Sequence, residues 1–242
     1  MSYNIEERIN RIASGNSSAI NNEDIENLIS HIASKRFNVT EKEVNVLLKL
    51  IIHLFKNILV DSGYDDNKIK ALVTKFRDAG RRSAPWRPTS SIVPGRPQDG
   101  SDGNRINRWL LPSDHKFYAT EIIATFVEIK YYLQTLSMLN SVQINESFRN
   151  IFTPWLLTHN VEVGEYLDPI QLIDIDFQEF INNPRIIQSG HLLPLDRGGV
   201  HHPDNTFLML SESNQIQGNH TLRELLIRLK GIIERHDIRG DY

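Results

Sequence analysis

The stretch from Arg185 to Thr221 constrains the fold of this 242-residue chain more than any other, because its turn-forming residues dictate where regular structure starts and stops. Arg185 to Ser189 is short, apolar and β-prone and delivers His191 at its end, after which Pro194 and the Gly198-Gly199 pair force a turn-rich loop. Thr206 to Leu210 reads as a second strand. Ser211 suits the N-cap of a short helix from Glu212, which carries Asn214 in its first turn and stops at Gly218. The product is strand, loop, strand, helix, with His191, Asn205 and Asn214 following one another at steps of 14 and 9 residues.

A unit this short needs bracing from elsewhere. The chain has no cysteine, which excludes disulfides and Cys-x-x-Cys zinc ribbons. The first 150 residues supply helices instead. Thr40-Glu41-Lys42-Glu43 is a capping box that opens an apolar helix to about Val60, a second helix covers Asp66 to Asp78 before Gly80, and a long one covers Tyr118 to Leu139. Weaker amphipathic helices fit Ile5 to Ala13 and Glu23 to Ala33. Their apolar stripes, including Phe126, Tyr131, Tyr132 and Leu133, read as core or dimer interface. Residues 153 to 184 read as a hairpin-and-helix connector in which His159 has no neighbours at metal spacing. Thr221 and Glu224 form a further capping box for a C-terminal helix.

With 40% hydrophobic residues the chain can bury a substantial core. The predicted fold class is α+β, a mainly helical region over 1–150 followed by a strand-loop-strand-helix module with a C-terminal helix over 151–242. Lys49 and His53 interrupt the longest apolar run, Val44 to Val60, so no membrane span is expected. The start, Met-Ser-Tyr-Asn-Ile-Glu-Glu-Arg, lacks a basic segment followed by an apolar one, and a cytoplasmic location is expected.

The residue types at the three marked positions suit phosphodiester hydrolysis. That reaction needs a water deprotonated near neutral pH, and an imidazole of ordinary pKa about 6.5 can do it. It also needs charge stabilisation on the phosphate and the leaving oxygen, for which a divalent cation serves. Asn214 offers a neutral oxygen. Mg²⁺, or Mn²⁺ in its place, prefers oxygen ligands, and Mg²⁺ retains several waters, so few protein ligands suffice.

The order and spacing of His191, Pro194, Gly198-Gly199, Asp204-Asn205, Asn214 and the run Gly218-Asn219-His220-Thr221 resemble the HNH nucleases, over residues 185 to 224. The resemblance implies a ββα-metal fold with His191 as general base, Asn205 as the residue that fixes the loop, and Asn214 as metal ligand. Two positions depart from that pattern. Gly190 stands where many members carry a second metal ligand, and Gln217 stands where many carry a lysine. Gly-His-Leu is similar to the related non-specific nucleases, although Ser189 replaces their arginine. A carboxylate recruited from Asp174 or Asp176 is the alternative to a single protein ligand. His220 falls off the ligand face of the helix, and His201 and His202 read as solvated loop histidines or DNA contacts.

Lys75 to Arg108 is rich in Gly, Pro and Ser, and its eight basic residues against three aspartates give +5 in a chain of net charge −3. Arginine suits phosphate forks and guanine edges. Arg77, Arg81, Arg82, Arg87, Arg96, Arg105 and Arg108, with Trp86 and Trp109 nearby, are therefore expected to contact DNA, and the bland alternative is a solvated linker. Arg185 and Arg197 are further expected phosphate contacts. The 150 residues outside the module favour a site-specific enzyme resembling an HNH-type type II restriction endonuclease of restriction-modification, acting on double-stranded DNA as a homodimer. A non-specific or effector-triggered defence DNase, or a non-catalytic DNA-binding protein with a decayed site, are the competing readings.

Overall fold

The computed structural model describes residues 4–15, 22–83 and 105–239. Arg87, Arg96 and Trp86 lie outside them. The architecture is α+β, and the described residues form two small antiparallel sheets among helices.

Four helices open the chain: α1 (Ile5–Ala13), α2 (Asn22–Ser34), α3 (Glu41–Asp61) and α4 (Asp66–Gly80). Their starts follow from side chains that satisfy otherwise orphaned backbone N–H groups. Asn4 accepts from the Glu7 N–H, Asp65 from Asn67 and Lys68, and Thr40 with Glu43 forms the complete capping box. The α4 helix runs two residues past Asp78 and takes in Gly80. Gly80 is required there for close approach rather than as a breaker: a Cβ on it would lie 2.8 Å from the backbone of Glu128 on the next long helix. Strands β1 (Arg82–Ser83) and β2 (Ile106–Asn107) then pair across the Arg-rich segment.

Helix α5 (Glu121–Leu136) is the axis of the molecule, packed against α3 and α4. Everything from Ala124 to Leu136 is buried, the polar Glu128, Lys130 and Gln134 included, so the helix is enclosed on all sides. Its span is shorter than the expected Tyr118 to Leu139. Thr120 caps its start by accepting from Ile123 N–H, and beyond Ser137 the backbone of Leu139 is recruited by residues 175–177, exchanging hydrogen bonds of 3.0 and 2.9 Å. A tertiary bond partner ends the helix before its apolar pattern ends.

The expected hairpin in 153–184 shrinks to a single antiparallel bridge, Leu167 with Asp174, before α6 (Phe177–Asn182). Strand β3 (Ile187–His191) then pairs with β4 (Thr206–Leu210) in register Ile187 to Leu210 through His191 to Thr206. Helices α7 (Ser211–Gln217) and α8 (Leu222–Arg239) complete the chain, with α7 lying on both strands. One hydrophobic cluster runs from Ile9 through Phe76 and Tyr132 to Leu208, crossing residue 150 without a break. No helix among the described residues is long and apolar enough to cross a membrane.

Candidate functional site

The β3-β4 hairpin is a two-stranded sheet, marginal by itself. Polar side chains of α5 hold it. The Tyr131 hydroxyl bonds Ser189, the Gln134 amide oxygen accepts Leu208 N–H at 3.1 Å, and the buried Lys130 donates to the Pro203 carbonyl and lies over the Phe207 ring. The Tyr166 hydroxyl donates to the Leu208 carbonyl. The outer edge of β4 is thereby satisfied and covered, which an exposed strand edge otherwise is not. Burial pulls Lys130 down to about 7. The sequence carried a signal for these ties: Lys130 and Gln134 stand four residues apart, on one face of a mainly apolar helix.

The loop between the strands is organised by Asn205. Its side chain accepts from Leu193 N–H at 2.7 Å and donates to the carbonyls of Leu193 and Val200 at 3.0 and 2.9 Å, while its own carbonyl accepts from Leu192 N–H. One asparagine thus closes both ends of the Pro194 to Gly199 turn. Gly198 sits at φ 84°, a left-handed conformation that costs glycine nothing. A Cβ on Gly199 would lie 2.0 Å from the Leu193 carbonyl oxygen, so the diglycine is required at both positions for different reasons.

Helix α7 starts one residue earlier than expected. Leu210, not Ser211, is its N-cap, and the work of the cap is done by the buried Asp168, which accepts from Leu210 N–H at 2.8 Å and from the Ser213 hydroxyl at 2.9 Å. A carboxylate 42 residues upstream in sequence was not readable as a helix cap. Asn214 follows in the same turn. Its Nδ2 donates to Gln188 at 2.7 Å, and among the described residues its Oδ1 accepts no hydrogen bond. A Cβ built on Gly190 would stand 3.1 Å from that oxygen and 2.5 Å from the Met209 thioether. A larger residue at 190 would thus meet the end of the Met209 side chain and the Asn214 oxygen, and would need Met209 to shift. Gln217 is likewise structural, being buried and donating to the carbonyls of His191, Leu192 and His220 at 3.0, 3.0 and 3.3 Å.

His191 ends β3, partly buried. Burial, with the Arg108 guanidinium nearby, pushes its pKa down to about 4, so at neutral pH it is uncharged and holds a free lone pair. Its Nε2 lies 3.3 Å from Nδ1 of His201. The expectation for His201 is overturned here: the residue is 2% exposed, and its Nε2 lies 2.7 Å from the carbonyl of Gly80. His202 remains partly exposed beside Asp204.

Of the alternative metal carboxylates, Asp176 is occupied as the cap of α6 and as acceptor of Asn140, and Asp174 is exposed. No group of three or more His, Asp or Glu stands together among the described residues in a metal-binding arrangement. The ligand atom that fits a hard cation is the Asn214 Oδ1, with its amide held by Gln188 and no hydrogen-bond donor on it among the described residues.

The arginines divide. Arg108 is buried and gives Nε, Nη1 and Nη2 to the carbonyls of Gly80, Phe117 and Ala79 at 3.0, 3.2 and 3.1 Å, so its expected place on DNA is corrected to that of an internal staple for the end of α4. Arg197 is bound to Glu224 at 2.8 Å and to the Asn219 carbonyl, fastening the loop to α8 rather than facing outward unengaged. Arg81 pairs with Glu121 and stacks on Trp109. Arg77, Arg82 and Arg105 gather around the single carboxylate of Asp78, with Arg77 and Arg105 each about half exposed. Arg185 is exposed.

No family model matches this sequence, and no curated protein matches it. Among solved structures, one described as the crystal structure of a type II restriction endonuclease superposes with a TM-score of 0.48 and 15% identity, over 75% of this chain and 82% of that one.

Proposed function

We propose that the protein is an endonuclease that hydrolyses phosphodiester bonds of double-stranded DNA at specific sites, using a ββα-metal module. One observation carries this reading. A single hairpin-and-helix unit presents an uncharged histidine at a strand end and, against the residue just before it, an amide oxygen that no donor among the described residues occupies. His191 accepts a proton from a water whose oxygen attacks phosphorus, and the bond from phosphorus to the leaving sugar oxygen breaks. Asn205 holds the loop that positions the strand end. Asn214 would hold a Mg²⁺ or Mn²⁺ ion, which when bound supplies charge stabilisation for the phosphate. Gln217 has a structural role of its own, buried and bonded to three carbonyls, which weighs against reading its departure from the pattern as decay. Arg77 and Arg105, two exposed cations sharing one carboxylate, are the best placed of the arginines to exchange Asp78 for backbone phosphate. Cutting both strands with one such module per chain calls for two copies about a two-fold axis, which sedimentation would detect.

The test is incubation of the protein with phage and plasmid DNA in Mg²⁺, Mn²⁺ or EDTA. Discrete fragments that need the metal, and a loss of about 10²- to 10⁴-fold in His191→Ala with its melting curve preserved, are expected. Fragments that persist undiminished in His191→Ala would end the assignment, and a smear would make the enzyme a non-specific DNase.

A further inference from the structure

His201 has a role that its sequence position does not suggest, and hydrogen-bond logic defines it. The carbonyl of Gly80 can only accept, so the His201 nitrogen 2.7 Å away, Nε2, carries a proton. His201 is buried beside Arg108 and His191, which keeps the ring neutral; its other nitrogen, Nδ1, is then a bare acceptor. That acceptor faces Nε2 of His191 at 3.3 Å, so His191 Nε2 is the donor of the pair. With His191 also neutral, the proton sits on Nε2 and the lone pair on Nδ1.

We propose that His201 is a positioning residue for His191: it holds the ring by Nε2, fixes the Nε2–H tautomer, and leaves Nδ1 as the atom that takes the proton. This rests on the reading of His191 as the base. The relay is anchored outside the hairpin, on the last carbonyl of α4, which has no partner within its own helix and also accepts from Arg108 Nε at 3.0 Å. Arg81 and Arg82 of the basic segment follow Gly80 directly, and Lys75 and Arg77 of the same segment lie within α4. The helix that carries the start of the basic segment thus also provides the carbonyl that holds His201 against His191. His201 and Gly80 are 121 residues apart in sequence, and the hydrogen bonds that join them to His191 involve neither Asn214 nor Gln188.

Two readouts test it. Long-range ¹⁵N–¹H imidazole spectra of the intact wild-type protein, with His191 identified from a His191→Gln spectrum, are expected to show protonated Nε2 and unprotonated Nδ1. A protonated Nδ1, or tautomers in fast average, overturns the proposal whether or not the protein cuts DNA. In DNA cleavage, His201→Leu fills the space but accepts no hydrogen bond, and is expected to lower kcat about 10- to 100-fold with KM unchanged, by analogy with the loss seen when the hydrogen-bond partner of a metal-bound histidine is removed. His201→Gln, which can accept from His191 and donate to Gly80, is expected to restore most of that loss. Equal kcat in wild type and His201→Leu, or equal loss in the Leu and Gln variants with both folded, overturns it. Absence of cleavage by the wild type sinks the functional reading, and the spectra still decide the tautomer.

Discussion

Helix α5 and the loop between β3 and β4 lie in contact yet are held in opposite ways. In α5 shape and apolar area dominate: Phe55, Phe76, Tyr131, Tyr132 and Phe180 meet there ring to ring at 5.0 to 6.2 Å, fully or almost fully buried. In the loop there is little to bury, and Asn205, Gln217 and Arg197 tie backbone carbonyls and N–H groups one by one. The difference teaches where each kind of force is useful. Apolar packing fixes an axis but tolerates small slides, whereas a reacting imidazole must be held in angle as well as place, and directional hydrogen bonds do that.

The contrast can be broken from either side. Phe76→Ala removes a ring that touches four others, and a loss of about 3–5 kcal/mol is expected, read by denaturant unfolding. Cleavage per folded molecule should change little. Asn205→Ala should do the reverse: a loss of about 1–3 kcal/mol from its lost hydrogen bonds, but a collapse of kcat, since the loop that ends at His191 loses its closure. Equal effects of the two variants on cleavage per folded molecule would erase the distinction drawn between the regions.

Acid should sharpen it further. The folded-state pKa of His191 is lowered from 6.5 to about 4, so between these values the unfolded chain binds the extra proton and the native one does not. The stability linked to this group is complete above about pH 6.5, falls as pH drops, and is lost by about pH 4. His191→Gln should flatten that part of the pH-stability curve, and the acid limb of cleavage should lie near the lower value. An unchanged slope in His191→Gln would contradict the assigned shift. The smallest effect is expected from Arg197→Ala, because its partner Glu224 is exposed. Exposed pairs are worth about 0–1 kcal/mol, and the melting temperature should hardly move.

Much of the framework was legible in the residues. The capping box at Thr40 and Glu43, the second at Thr221 and Glu224, the diglycine, and the strand Thr206–Leu210 are local features, and the structure contains each where the chain implied it. What stayed hidden involves partners far apart in sequence. Asp168 replaces Ser211 at the start of α7, Arg108 turns inward, and His201 is buried rather than solvated, because each finds its acceptor or donor between 28 and 121 residues away. Lys130 and Gln134 are different, because their four-residue spacing in a mainly apolar helix is a local signal of a shared polar face, which sequence reasoning passed over.

By itself, then, the sequence determined the elements and the residue types at His191, Asn205 and Asn214, since helix caps, turn glycines and strand alternation depend on neighbours within a few positions. The tertiary structure alone decided the surroundings of those residues. It placed Met209 and the Asn214 oxygen in the space beside Gly190 and seated His201 between His191 and the end of α4. The physical reason is that a proton's position on an imidazole, and the room for a side chain, are set by the atoms in contact, whatever their distance along the chain.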